Sequence, residues 1–330
     1  MKPYQVVGIG NALVDVLGHV EDSFLAEHGV EKGIMTLIDT GRAVELYGHM
    51  GPAREISGGS AANTIAGLAA LGTTTAYVGK VKDDQLGAIF AHDLRAQGAS
   101  YTTPLAPADH PHETGRCIVL VSPDGERSMS TYLGVSEFLS PDDIDERQMG
   151  AAEWIFLEGY RFDGPDSHAA FAKAIRATRA EGGRVAVTLS DPFCVERHRD
   201  AFLAMIRADV ELLVANEHEL KSLYQTDDLE HAIGKAAAEV PVTACTVGAG
   251  GVHVVSRGAR VHAPAHGTQV VDVTGAGDLF AAGLLHGIVT GRDWLTCARM
   301  GNVAAAEIIS HIGARPEADL KALFAAEGLN

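Results

Sequence analysis

The sequence predicts a doubly wound α/β fold around a mostly parallel sheet, with a small β excursion beside it. Three observations carry the prediction. Short apolar runs alternate with longer segments whose apolar residues recur at helical spacing, the βαβ rhythm of a sheet covered by helices on both faces. A chain of 330 residues, 46% hydrophobic and 21% charged, can bury a large core. Two segments, 13–39 and 113–133, depart from that rhythm.

Taken in order, YQVVGIG (4–10) is the first strand. LVDVLGHVEDSFLAEHGVEKGIMTLID (13–39) carries β-branched runs and no single clean helix. GSAANTIAGLAALG (59–72) is a helix, TTAYVG (74–79) a strand and DQLGAIFAHDLRAQG (84–98) a helix. ETGRCIVLVSPDGERSMSTYL (113–133) reads as two strands around the turn SPDG. The alternation then resumes. EWIFLEG (153–159), RVAVTLS (184–190), ELLVAN (211–216) and VTACTVG (242–248) are strands; 166–183, 199–209 and 229–240 are the intervening helices. Both aberrant segments leave the main alternation near strand ends, where open α/β sheets bind ligands, so together they are expected to form a lid over a site. The expected organisation is one domain, 1–330, with the lid inside it.

Composition narrows the function. Lys+Arg number 26 against 43 Asp+Glu, a net charge of −17, and no basic run is interleaved with aromatics, so no nucleic-acid or membrane partner is expected. The four cysteines, Cys117, Cys194, Cys245 and Cys297, form no C-x-x-C pair, which argues against a zinc site or a disulfide framework. MKPYQVVGIGN runs straight into a strand without a signal-peptide core, and no apolar run reaches membrane-spanning length, so a cytoplasmic protein is expected.

The glycine clusters decide what kind of phosphate site is possible. GIGNAL, GAGGVH and GAGDLF each lack the third glycine of G-x-G-x-x-G, having Leu13, His253 and Phe280 there, and no G-x-x-x-x-G-K-[ST] occurs. VVDVTGAGDLFAAGLLHG (270–287) offers another route. Gly275, Ala276 and Gly277 let successive backbone N–H groups turn inward, and the helix that follows adds about half a positive charge at its start. Asp278 beside such an anion nest is either a helix cap or a base that takes a proton from an attacking alcohol. The base explains both the glycines and the acid. ISGGSAANTIAGLAALG (56–72) adds a diglycine, Gly58 and Gly59, with Ser60 and Asn63 opening a helix, suited to close backbone approach and to a hydroxyl partner. GIGNALVD (8–15) places Asn11 and Asp15 four residues apart at a strand end, where they suit vicinal hydroxyls or are simple turn formers. In ANEHEL (215–220), Asn216 and Glu219 suit Mg²⁺ or its waters, or a cap.

Together these four clusters resemble the ribokinase-like (PfkB) family of sugar and nucleoside kinases, and within it the adenosine kinase branch most closely. DVTGAGDLFAAGLL is similar to the carboxy-terminal family signature, with Val273 where threonine is commonest, and GGSAANTIAGLAALG to the amino-terminal one. The N-x-x-E motif is Asn216-Glu217-His218-Glu219. The resemblance implies a three-layer ribokinase-like core with a β lid, an ATP-dependent phosphotransfer and Mg²⁺, and it admits a monovalent cation such as K⁺. It implies Asp278 as base, an anion hole from Gly275, Ala276 and Gly277, Asn216 and Glu219 organising Mg²⁺ through water, and Arg127 as a lid arginine near the phosphates. Thr246, Gly248 and Gly251 match a nucleotide-side loop, and Asn302 falls where the ATP adenine packs. On the acceptor side it implies Asn11 and Asp15 toward a ribose, with Gly58, Gly59 and Asn63 nearby, and Leu13, Cys117, Leu133, Tyr160 and Phe193 as walls around a purine. The expected activity is phosphorylation of the 5′-hydroxyl of adenosine. A family sugar kinase acting on ribose or fructose, and a nucleoside-binding regulator without catalysis, are the alternatives; monomer and homodimer both remain open.

Overall fold

The computed structural model describes residues 2–329. Its strands in chain order are β1 (Tyr4–Ile9), β2 (Leu13–His19), β3 (Met35–Leu37), β4 (Arg54–Gly58), β5 (Thr75–Val78), β6 (Ser100–Tyr101), β7 (Thr114–Val121), β8 (Arg127–Gly134), β9 (Ala152–Glu158), β10 (Arg184–Thr188), β11 (Leu212–Asn216), β12 (Val242–Thr246), β13 (Val252–Ser256) and β14 (Ala259–Ala263). They form a nine-stranded sheet, β14-β13-β12-β11-β10-β9-β1-β5-β6, and a five-stranded sheet, β3-β8-β7-β2-β4.

The large sheet is parallel from β6 to β12, and β13 and β14 add an antiparallel edge. Alternate strand residues face opposite helix layers. Val6, Trp154 and Phe156 point to one side, where helices Ser60–Ala70, Gln85–Ala96, Ala276–Val289 and Trp294–Ile308 pack; Val7, Ile155 and Leu157 point to the other, against Ser167–Ala180, Pro192–Asp209 and Leu229–Glu239. This is the three-layer α/β core expected from the periodicity.

The two irregular segments pair with each other in the five-stranded sheet, which takes in one further strand, β4. β2 lies between β7, parallel to it, and β4, antiparallel to it, while β8 joins β7 to β3. Strand β4, Arg54–Gly58, has the sequence REISG, too short and too polar for periodicity to mark. Segment 13–39 divides into β2, the short helix Asp22–Glu27 and β3. Among the described residues no helix is long and apolar enough to cross a membrane.

Candidate active site

Parallel strands bring their carboxyl ends to one edge, and this edge holds the candidate site. β1 leads into Gly10 and Asn11, β9 ends at Glu158, β10 leads to Ser190, β11 ends at Asn216 and β12 at Thr246. The five-stranded sheet stands over that edge. Asn11, Leu13, Asp15, Cys117, Leu133, Glu158, Tyr160, Asn216, Glu219 and the segment 273–278 all line a cavity of about 400 Å³ between the two sheets. A second cavity of about 380 Å³ lies on the other side of the same segment, lined by Thr246, Gly248, His218 and Phe280 among others. Ser60, Ser190, Asn216, Glu219, Val273, Ala276, Gly277 and Asp278 border both.

The glycines set the approach of the helices that carry this junction. A Cβ at Gly67 would sit 2.6 Å from Leu279 Cδ1 and 2.9 Å from Ala282 Cβ, so helix Ser60–Ala70 lies directly against helix Ala276–Val289. That contact delivers three side chains to Asp278. Ser60 Oγ donates to Oδ1 at 2.6 Å, Asn63 Nδ2 to Oδ2 at 2.8 Å, and Thr64 Oγ1 to the Asp278 carbonyl at 3.0 Å. The carboxylate therefore does not cap its own helix, whose N-cap is Gly275 with no side-chain cap bond.

Gly275 has φ +79°, a conformation that favours glycine, and opens the helix at Ala276. Ala276 N donates to Val273 O and Leu279 N to Gly275 O, while the amides of Gly277 and Asp278 find no acceptor among the described residues. A Cβ built on Gly277 would meet nothing within 4 Å, and the residue borders both cavities. Donors of this kind at a helix start attract an anion.

Burial raises Asp278 above the ordinary carboxylate range, and the bonds from Ser60 and Asn63 and the charge of Arg315 oppose that rise. Asp15 is pushed up to about 7, chiefly by burial, with Arg315 acting against it. Glu219 is likewise pushed up to about 7 by burial. It forms a reciprocal capping box with Asn216: Asn216 N and Nδ2 donate to its two oxygens at 2.9 and 2.6 Å, and Glu219 N donates to Asn216 Oδ1. The cap and site readings of N-x-x-E are thus compatible. Among the described residues no group of three His, Cys, Asp or Glu side chains can hold a metal by itself. One carboxylate beside an anion nest fits Mg²⁺, which is held largely by substrate phosphates and keeps much of its water.

Several expected residues serve differently from what their types suggest. Asn63 spends its amide N–H on Asp278, and its Oδ1 is buried without a donor among the described residues. Asn11 Oδ1 accepts from Ser136 Oγ and Arg161 Nη1, both at 3.0 Å. Gly58 and Gly59 make room: Cβ atoms there would lie 2.4 Å from the Asp15 carboxylate and 2.2 Å from Asn11 O. Arg127 is no surface residue, since its Nη2 lies 2.6 Å from Asp272 Oδ2 and its Nη1 donates to Thr274 Oγ1 at 3.1 Å. It thereby ties β8 to the loop before the anion nest. Asn302 is buried with its Nδ2 donating to Ala263 O and Pro264 O, and neither it nor Gly251 lines either cavity. Gly251 has φ +92° and turns the chain tightly against Ala263.

Phe193 requires a correction. It occupies the second position of helix Pro192–Asp209, is 67% exposed and lines neither cavity. The turn at Asp191, whose carboxylate accepts from Cys194 N, directs the chain so that Cys194 is buried and Phe193 is not. Met35, Leu37 and Met129 of the small sheet supply apolar wall instead. No sequence motif marks these three. Glu158 was also missed: it accepts from Asn11 N at 3.1 Å and from Ala61 N at 2.8 Å, and a Cβ on Gly10 would strike it at 2.3 Å. An acid closing a strand, with a glycine packed upon it, is the only trace it leaves in the sequence.

The chain is 42% identical to a probable sugar kinase from Rhizobium etli CFN 42, whose crystal structure it matches with TM-score 0.95 and 100% of both chains covered. It is 44% identical to the adenosine kinase of Sinorhizobium meliloti, with TM-score 0.92 over 99% of this chain and 100% of that one. It is also 34% identical over 279 residues to the ATP-dependent ribose-1-phosphate kinase of Halopiger xanaduensis, covering 83% of this chain and 88% of that protein. The class is therefore that of ATP-using kinases of sugars and nucleosides. The chain belongs to the pfkB family of carbohydrate kinases, whose family model matches residues 35–320.

Proposed function

We propose that this kinase phosphorylates the 5′-hydroxyl of adenosine from Mg-ATP, with Asp278 as general base. The observation that carries the reading is the meeting of two cavities at one carboxylate: Asp278 and Gly277 border both the space under the small sheet and the space along the ends of β11 and β12. The first cavity suits the nucleoside. Asn11 and Asp15 face a ribose, and Leu13, Cys117, Leu133 and Tyr160, with Met35, Leu37 and Met129, give a flat base apolar walls. The second suits the triphosphate, with Thr246 and Gly248 on its nucleotide side.

In the reaction the acceptor hydroxyl gives its proton to an Asp278 carboxylate oxygen as the oxygen–phosphorus bond forms and the bond to the departing ADP breaks. Ser60 and Asn63 fix the carboxylate's direction and leave each oxygen a further acceptor position. The free amides of Gly277 and Asp278 answer the negative charge on the transferred group. Glu219 and Asn216 would hold Mg²⁺ through water, and the ion would supply charge neutralisation on the phosphates.

The charge of the acceptor cavity favours a neutral nucleoside over a sugar phosphate. None of its lining residues is Lys, Arg or His, whereas Asp15, Glu158, Asp163, Glu219 and Asp278 all line it. A phosphate on the acceptor would enter against those carboxylates. Phosphate transfer from ATP to adenosine, inosine, ribose, ribose 1-phosphate and fructose, compared by kcat/KM, is the test. Adenosine is expected to lead by orders of magnitude. Equal or better turnover of a free sugar or of ribose 1-phosphate would overturn the adenosine assignment.

A further inference from the structure

Arg315 lies outside every motif, yet it touches both halves of the turn on which the site depends. Its side chain is nine-tenths buried, and among the described residues its hydrogen bonds go to Ser57 and Ala62 alone: Nε to Ser57 O at 3.0 Å, Nη2 to Ser57 Oγ at 3.2 Å, and Nη1 to Ala62 O. These two residues bracket Gly58, Gly59, Ser60 and Ala61. Within the bracket, Gly58 abuts the Asp15 carboxylate, Gly59 turns at φ +94° against Asn11 O, and Ser60 donates to Asp278. Asn63, the other donor to Asp278, follows directly.

The loop that carries Arg315 also supports the anion nest. Gly313 N donates to Asp272 Oδ2 at 3.0 Å, and a Cβ on Gly275 would lie 3.0 Å from Ala314 Cβ. Three consecutive residues, 313–315, therefore brace the loop before the nest, the nest itself and the glycine turn.

We propose that Arg315 is a positioning residue for phosphoryl transfer, whose planar fork fixes the turn 57–62 and whose charge is shared by Asp15 and Asp278. The proposal rests on the reading of Asp278 as the base. The acidic groups Asp15 of β2, Glu158 at the end of β9, Tyr160 beyond it, and Glu219 of helix Glu217–Tyr224 all feel the charge of Asp278. Arg315 is the positive group that acts on it, and Arg127 of β8 acts with Arg315 on Asp15. Burial lowers Arg315 to about 10, which leaves it charged at neutral pH, and Asp15 and Asp278 oppose that lowering. A guanidinium satisfied by carbonyls and a hydroxyl, without a carboxylate on its own nitrogens, keeps its charge for groups a short distance away.

The test separates fork from charge. Arg315→Gln removes both and Arg315→Lys keeps the charge without the fork; kcat at saturating adenosine and ATP is measured from pH 5 to 9. In Arg315→Gln the acid limb of kcat is expected to move toward neutral by about one pH unit, because an unopposed carboxylate holds its proton longer. At one unit below the wild-type limb that is about a tenfold further loss of turnover. In Arg315→Lys the limb is expected to stay in place with kcat lowered by a similar factor at every pH. A limb unmoved in Arg315→Gln, with activity lowered uniformly, would reduce Arg315 to a structural role. Should Arg315→Gln not fold, Arg315→Met, which also removes charge and fork, takes its place with the same two outcomes, and a displaced limb in Arg315→Lys overturns the shared charge. Asp278→Asn serves as control. If it keeps turnover, the base reading fails; if it is dead while Arg315→Gln leaves the limb in place, only the Arg315 inference fails.

Discussion

The two cavities that meet at Asp278 are built from different materials. The cavity under the small sheet is made of side chains: Leu13 and Asp15 of β2, Met35 and Leu37 of β3, Cys117 of β7, and Met129, Thr131 and Leu133 of β8. The cavity on the far side is made largely of strand ends, glycines and helix starts, with Asn216 and Glu219 spending much of their capacity on each other. Backbone donors and helix ends recognise phosphate whatever it is attached to, whereas side-chain walls discriminate shape and polarity. On the proposed reading the shared junction carries the chemistry and the five-stranded sheet the choice of acceptor. Substitutions at the junction should therefore damage turnover for every acceptor, and substitutions in the small sheet should damage it selectively.

The largest effect is expected at the junction. Asp278→Asn retains the shape of the side chain and can still meet Ser60, but cannot take a proton. It should lower kcat by roughly 10²–10⁴-fold for any acceptor while adenosine binding, followed by calorimetry, persists. Near-normal turnover would return Asp278 to a purely structural role between two helices.

Next comes the polar floor of the acceptor side. Asp15→Ala should cost about 2–4 kcal/mol in kcat/KM for adenosine if two ribose hydroxyls lean on this carboxylate, since their partner is then lost in a buried place. The loss should be much smaller for an acceptor lacking vicinal hydroxyls, such as a 2′,3′-dideoxynucleoside. Equal losses for both would show that Asp15 acts on the fold and not on the hydroxyls.

Burial of these acids also has a thermodynamic signature. Asp15, Glu158 and Glu219 are all pushed up to about 7 from ordinary carboxylate values near 4. Between those two values the folded protein binds more protons than the unfolded chain, so stability falls as pH rises from about 4 to 7 and levels off above. The Tm of the ligand-free protein is expected to decline by a few degrees across that window. Asp15→Asn should flatten the slope. An unchanged slope in that variant would show that Asp15 ionises in the folded protein as it does in water.

The contrast between the cavities also explains what the sequence could reveal. The core was legible because strands such as β9 and β10 carry short apolar runs, WIFL and VAV, buried on both faces, and because helices such as Ser167–Ala180 keep a regular apolar face. The turn into helix Ala276–Val289 was legible because glycine is required there by backbone geometry, as at Gly275 with φ +79°. Glu158 and Arg315 were not, since each acts through partners about 100 to 260 positions away in the chain, Ala61 and Asn11 for the first and Ser57 and Ala62 for the second. Strand β4 hid behind the glycine signature that follows it. The apolar walls were only half legible: position alone makes Met35, Leu37 and Met129 wall residues, and nothing in their type distinguishes them from core.

The small sheet's walls provide the finest distinction, and Phe193 sharpens it. By resemblance this residue belonged beside the purine, yet it stands 67% exposed at the start of helix Pro192–Asp209, while Leu133 lines the cavity from β8. Leu133→Ala uncovers apolar surface that a base would otherwise cover, at roughly 25 cal/mol per Å², so a loss of about 40 Å² of contact predicts close to a fivefold rise in the KM for adenosine. Phe193→Ala removes no wall of this cavity and should leave that KM within about twofold, because a substitution at an exposed position touches neither core nor contact. Steady-state kinetics on the two variants compare them directly. A Phe193→Ala protein as impaired as Leu133→Ala would mean that helix Pro192–Asp209 turns this ring inward when the nucleoside is bound, and the acceptor wall would then be completed by a helix packed on the large sheet as well as by the small sheet.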